Sequence, residues 1–130
     1  MTRQVIDTNV LLFFLQDDLR LPEEAARRIE NPRYQSLVSM ASLWEISIKT
    51  SVGTHCFSPG EADDFPETLD TLGFELLPIR WPAIRRAAKR PWHHRDPFDR
   101  LILAEAMTLN APILSTDVRL DAYGVERVGE

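Results

Sequence analysis

The chain of 130 residues is poor in cysteine and has no long apolar run. Its single cysteine, Cys56, excludes an internal disulfide and a zinc site built from several cysteines, which suits a reducing compartment. No apolar run approaches the roughly 18 residues that a membrane-spanning helix needs. The N-terminus leads directly into a strand-like segment, without the basic stretch and apolar core of a secretion signal. We therefore expect a soluble, cytoplasmic protein with no membrane partner.

Internal repeats, low-complexity tracts and linkers are also missing, which favours a single domain over residues 1–130. The apolar share of 44% and the charged share of 27% are those of ordinary globular proteins. Short apolar segments at residues 4–6, 34–38, 74–79 and 111–114 predict strands, and residues 125–128 predict a last edge strand. Predicted helices alternate with them, at residues 10–15, 22–31, 39–53, 61–72 (divided by Pro66), 82–90 and 98–109. This alternation predicts a three-layer α/β/α domain with a central parallel sheet flanked by helices.

Four short segments place carboxylates at the edges of apolar runs. They are V-I-D-T-N at residues 5–9, S-L-W-E-I-S at 42–47, R-D-P-F-D-R-L-I at 95–102 and S-T-D at 115–117. Ionised carboxylates are costly to bury unless they are paired or bind a metal. Four or five of them, spread over most of the chain, predict an oxygen-ligand site for Mg²⁺ or Mn²⁺ that forms on folding.

The predicted sheet would bring these acids together, because ligands of open parallel sheets bind at the carboxyl ends of the strands. Asp7 follows the first strand and Asp117 follows the fourth. Glu45 lies in the first turns of the helix after the second strand. Asp96 and Asp99 lie at the start of the last long helix. All five acids are therefore predicted to lie at one sheet edge.

Each acid also has an ordinary structural explanation. Asp7 is a good helix cap, and either Asp96 or Asp99 could be only a cap or a partner of the helix dipole. Glu45 could be a partly exposed residue, and Asp117 could be a turn residue. These explanations are reasonable one by one, but all of them would have to hold at the same edge of one sheet.

Charge and aromatic residues point less clearly to a partner. The net charge of −5 argues against nucleic acid, yet residues 80–100 hold seven of the fifteen basic residues, a strip that suits a polyanionic substrate. The adjacent His93 and His94 lack the spacing of a zinc site, so a surface loop or a phosphate contact is the better interpretation. We interpret the three tryptophans, Trp44, Trp81 and Trp92, as core or loop anchors rather than platforms for base stacking.

At these segments the chain resembles the PIN-domain ribonucleases, in particular the VapC-like toxin subunits of bacterial type II toxin–antitoxin pairs. D-T-N at residues 7–9 matches the opening motif, and S-T-D at 115–117 matches the closing acid. S-L-W-E-I-S-I-K at 42–49 and H-R-D-P-F-D-R-L-I at 94–102 match one subgroup. The stretch G-T-H-C-F at 53–57 departs from the basic continuation usual in that subgroup, which affects local substrate contacts only.

The resemblance implies which residues form the site. It assigns catalysis to Asp7, Glu45, Asp99 and Asp117, which with Asp96 as an additional candidate would hold Mg²⁺ or Mn²⁺. Asp99 is favoured over Asp96 because it lies just before the L-I-L-A stretch, as the third acid of the family does, but the motif alone leaves both open. Further residues are implied as polar support for the acids (Thr8, Asn9 and Thr116) or as contacts to the substrate (His94, Arg95 and Arg100).

The resemblance also implies a metal-dependent endoribonuclease, an antitoxin protein whose tail blocks the site, and a homodimer. Residues 10–14 or 23–29 could supply the apolar surface of that dimer. Three alternatives remain open. A catalytically silent PIN-fold binding module would be expected to lose acids. A haloacid-dehalogenase-like phosphotransfer enzyme needs a second acid where Asn9 stands, and a phosphoacceptor receiver needs a late lysine, although residues 101–130 contain none.

Overall fold

A computed structural model describes residues 1–53, 58–89 and 96–129 and confirms the predicted three-layer α/β/α architecture. Five parallel strands form one sheet in the order β3-β2-β1-β4-β5. The strands are β1 (Thr2–Ile6), β2 (Tyr34–Ser39), β3 (Glu75–Leu77), β4 (Ile113–Leu114) and β5 (Arg127–Val128). The predicted last strand is therefore present, at the edge of the sheet.

Six α-helices lie in the described parts of the chain. They are α1 (Thr8–Leu15), α2 (Glu23–Glu30), α3 (Met40–Ser51), α4 (Phe65–Thr71), α5 (Trp81–Lys89) and α6 (Pro97–Leu109). Short 3₁₀ helices cover Ser58–Glu61 and Val118–Tyr123. None of the helices in these ranges has the length and apolar character needed to cross a bilayer.

Helices cover both faces of the sheet because successive side chains of a strand point to opposite sides. Ile6 joins a buried cluster with residues of α1, α3 and α4. Its neighbour Val5 joins a second cluster, which is built mainly from residues of α6. Both side chains are 0% exposed. A parallel strand buried on both faces is expected to be apolar, as Val5 and Ile6 are. The buried Gln4 is the exception, and its Nε2 donates to the Arg28 carbonyl and the Ser36 hydroxyl, both at 3.0 Å.

Side chains at the carboxyl ends of the strands begin the helices that follow. Ser39, the last residue of β2, accepts a hydrogen bond at 3.0 Å from the backbone N–H of Ala41, as predicted for the cap of α3. The cap of α1 is Asp7, which accepts from the backbone N–H of Thr8 at 2.9 Å. The helix therefore begins at Thr8, two residues before the predicted start at residue 10, because the chain turns from strand to helix at Asp7.

Pro66 does not divide a helix. The predicted helix over 61–72 is instead a 3₁₀ turn that ends at Glu61 and a separate helix α4, in which Pro66 is the second residue. Proline is tolerated there because the backbone N–H groups of the first turn have no partner within the helix.

Glu105 of α6 is a second buried acid, far along the helix from the predicted site. It is 3% exposed, and its Oε1 accepts a hydrogen bond from the Ser39 hydroxyl at 2.5 Å. Its Oε2 has no hydrogen-bond partner among the described residues. Burial raises the pKa of Glu105 to about 7, although the hydrogen bond from Ser39 acts in the opposite direction.

We therefore predict that Glu105→Gln changes how stability depends on pH. A raised carboxyl pKa stabilises the fold below the unfolded value near 4.5, and this contribution is lost as the pH rises through about 7. The stability of the variant relative to wild type should increase by about 3 kcal/mol between pH 4 and pH 8. Urea unfolding at both values measures this change. Glu67→Gln, at an exposed position of α4, is the control, and a constant difference between Glu105→Gln and wild type would contradict the prediction.

Candidate functional site

Three of the predicted acids form a compact cluster at the carboxyl edge of the sheet. Glu45 of α3, Asp96 at the start of α6 and Asp99 in its first turn each offer a carboxylate oxygen, and these oxygens lie within 4.8 Å of one another. The second strand leads into α3 at this edge, and α6 begins there. We call these three residues the acid cluster.

Glu45 is the most enclosed member of the acid cluster. It is 3% exposed, which excludes the interpretation of a partly exposed helix residue. Its Oε2 is 2.8 Å from Nζ of Lys49, one turn further along α3. Its Oε1 is buried and has no hydrogen-bond partner among the described residues. A buried carboxylate oxygen without a donor is costly, and a cation held between these acids would remove that cost.

Asp99 experiences the repulsion of all the other acids. Burial is the largest cause that raises the pKa of Asp99 to about 7, and the charges of Asp7, Asp96, Glu45 and Asp117 raise it further. Close carboxylates cannot all ionise at low cost, so the cluster holds a proton near neutral pH when no cation is present. Asp99 is thus the acid whose pKa all four of the other carboxylates raise.

Asp96 has a structural task as well as a place in the acid cluster. It caps α6, where its Oδ1 accepts hydrogen bonds from the backbone N–H groups of Phe98 at 2.8 Å and Asp99 at 3.5 Å. The ordinary explanation for Asp96 is therefore correct as far as it goes. The structure nevertheless brings both Asp96 and Asp99 to Glu45.

Asp7 lies beside the acid cluster and is held in place from two sides. The Ser115 hydroxyl donates to its Oδ2 at 2.6 Å, and the Thr8 backbone N–H donates to its Oδ1. Burial raises the pKa of Asp7, these two hydrogen bonds lower it, and the charges of Glu45 and Asp117 raise it again. Asp7 therefore caps a helix and also belongs to the electrostatic network of the site.

Asp117 is partly exposed and pairs with a neighbouring arginine. The Arg119 guanidinium donates from Nε to Oδ1 and from Nη2 to Oδ2, both at 2.9 Å. Asp117 also caps the 3₁₀ helix by accepting from the Arg119 backbone N–H at 3.0 Å. Its electrostatic effect reaches Asp7 and Asp99.

The polar residues around the acids differ in part from those that the sequence indicated. Thr8 is buried, and its hydroxyl shares a hydrogen bond of 2.8 Å with Ser42. Asn9 is exposed, and Thr116 is partly exposed. The hydroxyl that reaches Asp7 is that of Ser115, and Ser115 also accepts from the Asp117 backbone N–H at 3.0 Å.

Sequence reasoning missed Ser115, Lys49 and Arg119 as members of the site. Lys49 follows Glu45 by four residues, a spacing that places two side chains together on a helix, so this pair could have been found. Arg119 follows Asp117 by two residues. Because Asp117 was already a candidate turn residue, this local contact could also have been predicted. Ser115 is 108 residues from Asp7, and no local pattern predicts such a contact.

Of the three predicted substrate contacts, only Arg100 lies among the described residues. His94 and Arg95 lie outside the described residues, as do His93, Trp92 and the His55–Cys56 pair. Arg100 is half-buried in the first turns of α6. The basic residues before it lie exposed on or beside α5: Arg80, Arg85, Arg86 and Lys89. Trp44 and Trp81, interpreted as core or loop anchors, are 58% and 66% exposed and lie in α3 and α5, so neither is a core residue.

The donor set fits a hard divalent cation. Carboxylate oxygens are the ligands that Mg²⁺ and Mn²⁺ prefer, and thiol or imidazole groups are not needed. Glu45, Asp96 and Asp99 lie close enough together to share one ion, and Asp7 and Asp117 add negative charge beside them. The unpartnered Oε1 of Glu45 is the feature that ordinary packing leaves unexplained.

We predict that Asp99→Asn stabilises the metal-free protein in a pH-dependent way. The raised pKa of Asp99 stabilises the fold below its unfolded value near 3.8, and this contribution is lost as the pH rises through about 7. At pH 8 the variant should be more stable by about 2 kcal/mol, because solvent screens part of the repulsion. Chemical unfolding in chelator at pH 8 and pH 4 measures it. Equal stability of variant and wild type at pH 8 would contradict the repulsion described above.

Comparison with known proteins places this site in a family. The PIN domain profile matches residues 5–126. No match was found among curated protein sequences. Among solved structures, the chain is similar to VapBC2 from Rickettsia felis bound to a DNA fragment from its promoter, with 12% identity, a TM-score of 0.63 and 97% of each chain covered.

Two further structures agree with this fold. DNA-bound VapBC from Salmonella typhimurium is 16% identical with a TM-score of 0.64, over 98% of this chain and 97% of that one. VapBC-1 from nontypeable Haemophilus influenzae is 14% identical with a TM-score of 0.63, over 98% of each chain. At such identities these likenesses show the fold alone. The profile match covers nearly the whole chain, so the protein belongs to the PIN domain family.

Proposed function

We propose that this protein is a divalent-metal-dependent endoribonuclease that acts as the toxin of a type II toxin–antitoxin pair. The observation that carries the proposal is the acid cluster at the carboxyl edge of a PIN domain, with a buried Glu45 oxygen that has no hydrogen-bond donor among the described residues. Mg²⁺ is the proposed ion and Mn²⁺ the second choice. Residues 1–130 form one domain in this proposal.

The chain would hold the ion through Glu45, Asp96 and Asp99, with Asp7 and Asp117 directly or through water. When bound, a divalent ion activates an attacking water and stabilises negative charge on the phosphate oxygens. The protein fixes the acids beforehand: Ser115 orients the Asp7 carboxylate, and the cap of α6 orients Asp96. Such preorganisation lowers the cost of reaching the reactive geometry.

Two carboxylates are candidates to accept the proton of the attacking water, Glu45 and Asp117. Glu45 offers an Oε1 with no donor among the described residues, inside a buried environment. Asp117 lies nearer to solvent, with 22% of its side chain exposed. A general base must lie within hydrogen-bond reach of the proton that it removes; Glu45 belongs to the acid cluster, and Asp117 lies near enough to act electrostatically on Asp99.

RNA would approach from the side of the basic strip. Lys89 ends α5 and lies seven residues before Asp96 in the sequence, whereas Arg80 and Arg86 lie beside the C-terminal part of α6 and would extend the positive surface away from the acids. Contacts between cations and phosphates supply affinity without sequence specificity. We propose Arg100, Arg95 and His94 as further contacts to the RNA backbone.

The main alternative is a catalytically silent PIN domain that only binds RNA or protein. The retained acids and the unpartnered Glu45 oxygen favour the nuclease, because a silent domain gains nothing from the cost of keeping them together. The phosphotransfer and receiver alternatives are set aside, since the chain belongs to the PIN domain family.

The antitoxin is proposed to cover the acids with a segment of its chain. VapBC and FitAB structures, in which this fold occurs, are toxin–antitoxin and DNA complexes of other proteins. In this protein, three apolar residues recur at every fourth position of α3 and are exposed: Met40, Trp44 and Ile48. This row adjoins Glu45, so a partner seated on it would also block the site.

A homodimer is part of the proposal, and within the suggested segment at residues 10–14 only Phe13 and Phe14 are partly exposed. Val10, Leu11 and Leu12 are at most 3% exposed and belong to the core, so they cannot supply a free apolar face. Ala25 of α2 is buried as well. A dimer would have to use residues other than these.

The nuclease proposal predicts that Asp7→Asn lowers RNA cleavage by about 100-fold or more, because loss of one carboxylate weakens the charge that holds the ion. Cleavage of a labelled single-stranded RNA in Mg²⁺, with a chelator control, measures this. Mg²⁺ or Mn²⁺ should also raise the melting temperature of wild type more than that of the variant.

The matched control is Asp18→Asn, which removes an acid from the loop after α1, outside the acid cluster. It should cleave RNA and respond to metal as wild type does. Normal cleavage by Asp7→Asn in Mg²⁺ would end the nuclease proposal. A metal response without cleavage of any RNA tested would favour the silent module.

The toxin proposal has a separate test. A small reading frame next to this gene should encode a protein that copurifies with the chain and inhibits its RNA cleavage. Trp44→Ser should weaken that copurification, since it removes the central residue of the exposed row on α3. Absence of such a reading frame would weaken the toxin assignment and leave the nuclease assignment untouched.

A further inference from the structure

Two cations of the chain itself lie against the acids of the site. Lys49 is 2.8 Å from Oε2 of Glu45, and the charges of Asp96 and Asp99 also act on it. The Arg119 guanidinium binds both oxygens of Asp117, and it also interacts electrostatically with Asp99. Each cation therefore contacts one carboxylate directly and is also attracted by further acids of the acid cluster.

A second arginine, Arg20, forms the same kind of contact with an aspartate away from the acid cluster, so it serves as a comparison for Arg119. Arg20 follows Asp18 by two residues, and it donates from Nε at 3.1 Å and from Nη2 at 2.8 Å to that carboxylate. Its backbone N–H also bonds Asp18, as that of Arg119 bonds Asp117. The arginine side chains are 73% and 62% exposed. The two local structures are nearly the same.

The difference between the two pairs is their surroundings. Among the described residues, Asp18 is the acid that raises the pKa of Arg20, whereas that of Arg119 is raised by Asp117 and by Asp99 of the acid cluster. Lys49 resembles Arg119 in this respect, because Asp96 and Asp99 attract it in addition to its direct partner Glu45. Two cations thus compensate charge that a divalent ion would otherwise compensate.

A divalent ion and these cations compete for the same carboxylates. The Asp117 oxygens paired with Arg119, and the Glu45 oxygen paired with Lys49, are carboxylate oxygens of the kind that could ligate a divalent ion. A doubly charged ion held by the acids would repel an adjacent lysine or arginine and would take over part of its anionic partner. The side chain would then be free to bind a phosphate of the substrate.

We propose that Arg119 and Lys49 are exchangeable countercations: each holds a carboxylate of the site while the metal is absent and turns to an RNA phosphate when the metal takes that carboxylate. This inference rests on the proposed nuclease function. Arg119 is the better placed of the two, because its pair is exposed, it has five N–H donors, and its planar fork fits a phosphate as well as a carboxylate. Neither role requires a rearrangement of the backbone.

The proposal predicts opposite effects of one substitution on two ligands. Arg119→Met removes the competing charge and keeps much of the side-chain stem. Its dissociation constant for Mn²⁺ alone should fall about fivefold relative to wild type, by titration calorimetry without RNA. Its KM for a defined single-stranded RNA in Mg²⁺ should rise about fivefold, because a charged phosphate contact is lost. A purely structural role would weaken both ligands or neither.

Matched controls are built into the chain. Arg20→Met removes the equivalent arginine from the equivalent pair and should change neither Mn²⁺ binding nor KM. Lys49→Met should repeat the effects of Arg119→Met, with Arg27→Met as its control, since Arg27 pairs with Glu23 at the same helical spacing. Because Glu45 is buried, Lys49→Met can fail to fold, and Arg119→Met then decides the question.

The outcomes separate this inference from the function on which it rests. Tighter Mn²⁺ binding together with a higher KM supports it. If wild type binds Mn²⁺ and cleaves RNA but Arg119→Met behaves like Arg20→Met, the exchange is wrong and the nuclease stands. Weaker Mn²⁺ binding by Arg119→Met would also overturn the exchange, since Arg119 would then support the metal ligands. If wild type neither binds Mn²⁺ nor cleaves RNA, both proposals fall.

Discussion

The mutual repulsion of carboxylates that a parallel sheet brings to one edge is the constraint on which the rest of the site depends. The strands end together, so the residues that follow them meet whether or not their charges are compatible. Here five acids act on one another, and the pKa of Asp99 rises to about 7 as a result of burial and of the other four charges. Local hydrogen bonds and cations around the acids reduce that repulsion without removing it.

Two buried glutamates show that burial alone does not define a site. Glu45 and Glu105 are both 3% exposed, and each has one oxygen without a partner among the described residues. Glu105 accepts a hydrogen bond from the neutral Ser39, and no cation is among the causes that shift its pKa. Glu45 has a lysine at one oxygen and two further carboxylates within 4.8 Å of its ligand atom. Concentrated and only partly compensated negative charge therefore distinguishes Glu45, a candidate metal ligand, from the isolated Glu105.

The sequence predicted the elements of the fold well, because apolar periodicity and capping residues are local signals. The parallel sheet, the Ser39 cap and the edge strand at the end were all visible in this way. The sequence did not show which side chains of residues 10–14 face the core, because an apolar run looks the same whether it packs in the core or against a partner. Val10 and Leu11 turned out to be 0% exposed.

The acids of the site could be named from the sequence, but the groups that hold them could not. An acid after an apolar strand is a local signal, and its position fixes its place at the sheet edge. Ser115 reaches Asp7 across 108 residues, and Ser39 reaches Glu105 across 66. Such contacts depend on the exact packing of strands and helices, so no spacing rule reveals them.

The pairs Asp18–Arg20 and Asp117–Arg119 carry this point further. An aspartate two residues before an arginine gives the same turn and the same twofold hydrogen bonding in both places. At Asp18 the arginine compensates the charge of its own aspartate partner. At Asp117 the same motif lies at the end of a strand beside buried acids, so the arginine interacts with Asp99 as well. What a short motif does is therefore set by the charges that the fold places around it.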